Sequence, residues 1–399
     1  MKGWAVSEGK RLVPRLRFPE FASGSTWEGR KVDDLVDTVT PPKKLPTSAY
    51  STSGDFPIVD QSQSLICGWT NDSKALIQDD LPLIIFGDHT CILKLVNHPF
   101  VQGADGIKIL KPRPAINTSY LYQFLGHQPV VTEEYKRHYS ILKEKVVLLP
   151  VLKTGEQQKI ADCLSSLDEL IAAQARKVDA LKAHKEGLMQ QLFPREGETR
   201  PRLRFLPFRK RGAWTEVVAG DIFSNRVERG DAALPIYSVT MFNGLVPRKS
   251  LDRRIDDIAE SSANKKVCKG DIAYNMMRMW QGAMGIAAED CMVSPAYIVL
   301  RPKSADTQFF YYLLKQPHML RVLTAHSRGL TEDRLRLYYD GFSKIPLLYP
   351  SPEEQSDIAG LLTSIDKLVA IQEQELDTLK THKKGLMQQL FPAAEAVEA

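Results

Sequence analysis

Residues Glu156–Pro194 read EQQKIADCLSSLDELIAAQARKVDALKAHKEGLMQQLFP, and Glu354–Pro392 read EQSDIAGLLTSIDKLVAIQEQELDTLKTHKKGLMQQLFP. Without gaps, 23 of the 39 positions are identical at an offset of 198 residues, so the chain is written twice and the repeat governs any reading of the fold. In the first copy apolar side chains fall at Ile160, Leu164, Leu167, Ile171, Val178, Leu181, Leu188 and Leu192. The second copy has Ile358, Leu362, Ile365, Val369, Leu376, Leu379, Leu386 and Leu390. Steps alternating between four and three are the period of a coiled-coil seam, and each run stops at Phe-Pro, where proline cannot continue a helix. The pattern predicts two long helices that pair within the chain, antiparallel. Gln174 with Gln372 and Lys185 with Lys383 interrupt the seam in both copies. They either fix register, as polar seam residues do, or snorkel from its edge.

Weaker repeats precede the helices. PRLRF stands at Pro14–Phe18 and again at Pro201–Phe205, each the same distance before a tryptophan (Trp27, Trp214), and Phe56-Pro57-Ile58 resembles Leu234-Pro235-Ile236. The organisation that follows is an N-terminal segment (1–26), a first head (27–155), a central helix (156–194), a linker (195–213), a second head (214–352), a C-terminal helix (353–392) and a tail (393–399). The fold class is α+β: two globular α/β heads alternating with two long helices that pair as an antiparallel coiled coil. About 34 helical residues at 1.5 Å each span roughly 50 Å, more than the 34–36 Å of one DNA turn, so the helices suit a ruler between two heads.

Both heads carry a strand that breaks into a polar tip. Leu81–Thr90 (LPLIIFGDHT) breaks at Gly87, and Gly270–Gly282 (GDIAYNMMRMWQG) leads to Asn275 and Arg278. Each is followed by an apolar strand ending in a basic residue and proline (Ile107–Pro112, Ala296–Pro302). Similar scaffolds with different tips suit two readers doing versions of one job, since binding groups gather on loops held by rigid elements. Arg278 has the fork for guanine, and Asn275 or Gln281 the amide for adenine; His89, Thr90 and Lys94 offer donors in the first head. Asp88 and His89 have a second reading as caps of the Gly87 turn, and Arg278 as partner of a core carboxylate. Met276, Met277 and Met279 read as packing.

A net charge of +5 is mild for a protein that grips DNA unaided, and the basic run Arg200–Arg211 serves equally as a phosphate contact or a solvated linker. The five scattered cysteines lack a C-x-x-C pair, which argues against disulfides and a zinc site and for a cytoplasmic location. No apolar run is long enough for a membrane span, and the N-terminus shows no secretory signal. P-loop, G-x-G-x-x-G, G-x-S-x-G and H-E-x-x-H motifs are missing, as is the Asn/Asp-Pro-Pro-aromatic tetrapeptide of amino-methyltransferases. No catalytic residue and no metal ligand is expected; His184 and His382 read as surface positions.

With head and helix alternating twice, the chain resembles the specificity subunits of Type I restriction–modification systems. The stretches that carry the likeness are Phe86–Leu110 and Gly270–Pro302 in the heads, P…EQ..I at Pro150, Glu156, Gln157 and Ile160 and again at Pro352, Glu354, Gln355 and Ile358, and the closing GLMQQLFP of both helices. The resemblance implies a non-catalytic, sequence-specific DNA-recognition subunit whose heads each read one half of a bipartite, asymmetric site in double-stranded DNA. The implied partners are two methyltransferase (modification) subunits using S-adenosylmethionine and a motor–nuclease (restriction) subunit using ATP and Mg, with no cofactor in this chain. Candidate DNA-binding residues are Asp88, His89, Thr90, Lys94, Arg137, Asn275, Arg278, Gln281 and Arg328. Candidates for the spacer and subunit docking are Leu164, Leu167, Ile171, Gln174, Lys185, Leu362, Ile365, Val369, Gln372 and Lys383. The first head lacks an obvious counterpart of Ser327–Leu330 (SRGL), whose place Lys136–Ser140 is expected to take. The competing readings are a coiled-coil scaffold whose heads bind protein, and an enzyme fusion acting by itself.

Overall fold

The structure is a computed structural model that describes residues 12–24, 26–131, 137–152, 155–251, 263–331 and 334–392. The two repeated stretches are continuous helices, Glu156–Leu192 and Pro352–Leu390. The chain divides into two compact units, one made of the residues up to Ala175 with those from Gln374 onward, the other of Arg176–Glu373. Each unit thus contains one head, the beginning of the helix that follows it and the end of the other helix.

Within each unit the two helix segments run antiparallel. In the first, Ile160, Ala161 and Leu164 share a core with Leu386, Met387, Leu390 and Phe391. In the second, Ile358, Ala359 and Leu362 share one with Leu188, Met189, Leu192 and Phe193. The seam is closed at some positions and half-open at others. Ile160, Leu164, Leu362, Ile365 and Val369 are buried, whereas Leu167, Ile171, Leu181, Leu376 and Leu379 are half-buried. Two helices alone shield only one side of each seam residue.

Each head has a four-stranded antiparallel sheet of the same order. In the first, Val36–Val39 is followed by Ile107–Pro112, Leu83–Gly87 and Leu93–Val96. In the second, Phe223–Asn225 is followed by Tyr297–Pro302, Ile272–Asn275 and Met284–Ile286. The strand that bears the polar tip lies beside the strand ending in a basic residue and proline in both heads. Helix Thr118–His127 in the first head and Thr307–Leu314 in the second back the sheets, capped by Asn117 and Asp306, whose side chains accept from Tyr120 and Phe309 N–H. The Phe56/Leu234 repeat is also real: Ile58 pairs in parallel with Val101 and Ile236 with Met292. Among the described residues no helix is long and apolar enough to cross a membrane.

Candidate DNA-recognition heads and their frame

The repeated motifs turn out to be the fittings that seat each head on the helices. Arg17 forks onto Glu156 at 2.7 and 2.6 Å, and Arg204 forks onto Glu354 at 2.7 Å twice. PRLRF and the glutamate of EQ..I are therefore two halves of one ion pair. The next residue reaches the cap of the head helix: Gln157 Oε1 accepts from Asn117 N–H at 2.9 Å, and Gln355 Oε1 from Asp306 N–H at 3.4 Å. Ile160 and Ile358 enter the cores, each 1% exposed.

Lower on the helices, Asp168 accepts from Lys383 Nζ and Gln123 Nε2, both at 2.6 Å. Asp366 accepts from Lys185 Nζ at 2.5 Å and Tyr312 O–H at 2.7 Å. The seam lysines are thus paired rather than merely snorkelling, and each lysine answers the aspartate of the other repeat. Gln174 and Gln372 are buried, and Gln174 Nε2 donates to Glu375 at 3.2 Å. The helix ends are held by rings: Phe391 packs on Tyr120, Phe124 and His127, and Phe193 on Trp214 and Phe309. Beside them Leu16 N–H donates to Gln389 carbonyl and Leu203 N–H to Gln191 carbonyl, at 3.0 and 2.9 Å.

At the tip of the first head, Asp88 is buried and its Oδ1 accepts from Tyr139 N–H at 2.8 Å, while its carbonyl accepts from His138 N–H at 2.8 Å. It ties the strand tip to the chain around Arg137, which is exposed; the Asp105 carboxyl is held below the usual range by its hydrogen bond from Lys44, with a smaller contribution from Arg137. This is the neighbourhood expected for the counterpart of Ser327–Leu330; Lys136 lies outside the described residues. His89 is half-buried. Thr90 Oγ1 donates to Gln61 carbonyl at 3.0 Å. Lys94 is buried, and its Nζ donates to the carbonyls of Asp60 and Ser64 at 2.7 and 2.5 Å; burial lowers its pKa. Thr90 and Lys94 therefore anchor the loop between strands Phe56–Val59 and Gly68–Thr70. The exposed residues that loop offers are Gln63, Ser64 and Leu65.

In the second head the candidates gather more openly. Asn275 is half-buried and closes the turn by accepting from Met277 N–H at 3.0 Å. Arg278 and Gln281 are exposed, and Arg278 has no ion pair among the described residues, so the core-carboxylate reading of Arg278 finds no partner there. Met279 is core, Met276 packs against it, and Met277 is exposed. Leu337 N–H donates to Met276 carbonyl at 2.9 Å, which brings the Arg328 segment beside this turn. Arg328 itself is exposed and paired with Asp340 at 2.7 Å. A further loop, Thr240–Gly244, which exposes Phe242 and Asn243, was not among the sequence candidates, nor was the 60–67 loop of the first head. The signal for both was the matched Phe56/Leu234 repeat that leads into them. Among the described residues no group of acidic, histidine or cysteine side chains is arranged to hold a metal.

Residues 215–381 match the family model described as Type I restriction modification DNA specificity domain. The MjaVIII Type I restriction enzyme specificity subunit of Methanocaldococcus jannaschii is 25% identical over 411 residues, covering 94% of this chain and 93% of that protein. The HindI specificity subunit of Haemophilus influenzae is 25% identical over 198 residues, 47% of this chain and 42% of that one. In fold, the chain is similar to the crystal structure of a Type I restriction–modification S subunit from M. genitalium, with a TM-score of 0.64 at 16% identity over 96% of this chain and 100% of that one. Two differing heads on one duplicated frame, and a likeness that runs over 94% of the chain, point the same way: the chain is similar to the specificity subunits of Type I restriction–modification systems, and its residues 215–381 match their DNA specificity domain.

Proposed function

We propose that this chain is the address of a Type I restriction–modification enzyme and carries no catalytic centre. Each head reads one half of a bipartite, asymmetric site in double-stranded DNA, and the paired helices set the unspecified gap. Two methyltransferase subunits dock along the helical region and methylate adenines with S-adenosylmethionine. A motor–nuclease subunit, using ATP and Mg, joins them to cut unmethylated DNA. The observation that carries the reading is the contrast between frame and tip. The frame contacts recur residue for residue: Arg17/Arg204, Glu156/Glu354, Gln157/Gln355, Asp168/Asp366 and Lys185/Lys383. The tips share almost nothing, Asp88-His89-Thr90 standing where the other head has Met276-Met277-Arg278. Identical seating with divergent tips fits two readers of different sequence on one scaffold.

Single-molecule methylation mapping of the host genome, with and without the gene, tests this. One split adenine-methylated motif should vanish on deletion, and both halves of it together. An unchanged methylome in a strain whose methyltransferase partner is expressed and active would overturn the reading.

A further inference from the structure

Phe242 stands 91% exposed at the tip of a hairpin in the second head. Strands Tyr237–Val239 and Leu245–Pro247 pair antiparallel, with Val239 opposite Leu245. The connection between them is stiff. Thr240 N–H donates to Gly244 carbonyl at 2.7 Å, Thr240 Oγ1 accepts from Asn243 N–H at 3.0 Å, and Gly244 sits at φ +63°. Met241 packs against the core patch of Tyr237, Val239, Ala273 and Ala283, yet its neighbour Phe242 is left in water. The hairpin lies directly on the strand leaving the Arg278 turn, so close that a Cβ on Gly285 would come within 2.1 Å of Leu245 N.

The first head repeats the arrangement. Its loop 60–67 joins the corresponding antiparallel strands, is fastened to strand Leu93–Val96 by Lys94, and carries the exposed apolar Leu65. One exposed apolar side chain is unremarkable on a protein surface. One at the same topological place in both heads, on a loop fastened to the strand that leaves the polar tip, calls for an occupant. Asn243 is exposed next to Phe242, and the strand on which the hairpin lies follows directly on the turn that bears the exposed Arg278 and Gln281, amides and a cation suited to base edges and phosphates. Those neighbours favour DNA over an apolar protein surface.

Building on the DNA-recognition reading, we propose that Phe242 is a wedge. The hairpin tip enters the duplex and the ring slips between two stacked base pairs of the second head's half-site, with Leu65 the smaller equivalent in the first. Apolar side chains inserted at a base step partly unstack it and kink the duplex, which makes the step's deformability part of what is read.

The test uses the full chain assembled with its modification subunits, on duplexes carrying the mapped site with 2-aminopurine placed in turn through each half. Fluorescence should rise on binding at one step of the second head's half-site, and more weakly at one step of the other where Leu65 enters, distinct from any rise at the methylated adenines caused by base extrusion. Phe242→Ala should abolish the rise in the second head's half-site and weaken binding about tenfold, the scale of one lost stacking contact; Phe242→Trp should keep both. The side chain is exposed, so an unchanged thermal melt of the variants confirms that folding is intact. The wedge is refuted if the wild-type complex binds selectively without the rise in the second head's half-site, or if Phe242→Ala leaves it intact. It is refuted too if the variant fails to assemble with the modification subunits, which would place the ring in a protein interface. If the wild-type complex selects no DNA site at all, the DNA-recognition reading itself fails.

Discussion

Arg204 holds Glu354 through two hydrogen bonds of 2.7 Å, with side chains 9% and 1% exposed, and the same fork joins Arg17 to Glu156 with the same burial. Neither glutamate has solvent to fall back on. Arg204→Met should therefore destabilise the protein by about 3 kcal/mol, the cost of leaving one partner of a buried pair uncompensated. Arg204→Lys should recover little, because an ammonium cannot reproduce the fork. Urea denaturation of both variants checks this, and a loss well under 1 kcal/mol for Arg204→Met would contradict it.

The Lys185–Asp366 pair is partly exposed, at 22% and 42% of the side chains, and sits where a second bond from Tyr312 also reaches the aspartate. Its coupling should be correspondingly small. A double-mutant cycle with Lys185→Met and Asp366→Asn should give about 0.5–1 kcal/mol, shrinking as salt is raised. Replacing both lysines, Lys185 and Lys383, by Met should leave the helices paired, which circular dichroism would register.

Lys94 acts on the first head's loop from behind. Lys94→Met removes the donor of two carbonyls, Asp60 and Ser64, and should cost about 1–3 kcal/mol. Amide hydrogen exchange should quicken across residues 61–66 while the second head is unchanged. Discrimination should loosen in one half-site only.

Arg278, exposed and unpaired with any described carboxylate, should behave as a reader. Arg278→Ala is expected to cost about 1–3 kcal/mol on the cognate site and relax one base position. Uniform weakening on every sequence, with a salt dependence lower by about one ion, would make it a phosphate contact instead.

Acid should loosen both helix ends. Burial lowers the His127 pKa from its ordinary 6.5, and His318 shifts the same way for the same reason. The unfolded chain takes up these protons near pH 6.5 and the folded chain only lower, so stability should fall as pH drops below about 6.5 and level off past the folded pKa. His127→Phe, which keeps a ring against Phe391, should flatten about half of that slope in melts between pH 7 and 5.

How much of this was legible beforehand divides along the line between frame and tip. The helices, their pairing and the strand before each tip follow from periodicity, because apolar residues at Ile160, Leu164, Ile358 and Leu362 have one way to be buried. The recurrence of PRLRF was visible but its purpose was not, since an arginine and a glutamate 139 residues apart show no spacing that betrays a contact. The tips were least legible. Lys94 has the composition of a reader and the position of a strut, and nothing in LKLV distinguishes the two. Phe242 passed unnoticed because an aromatic residue after a strand reads by default as core.

Each repeat's lysine is satisfied only by the other repeat's aspartate, Lys383 by Asp168 and Lys185 by Asp366. Neither half of the gene is therefore self-sufficient, and a change at one of these positions in one half must be answered in the other. A single half present twice would meet every one of these demands, which is the condition of a symmetric dimer. The present chain is consistent with the fusion of such a pair, after which the frame could not drift while each head was free to acquire its own target.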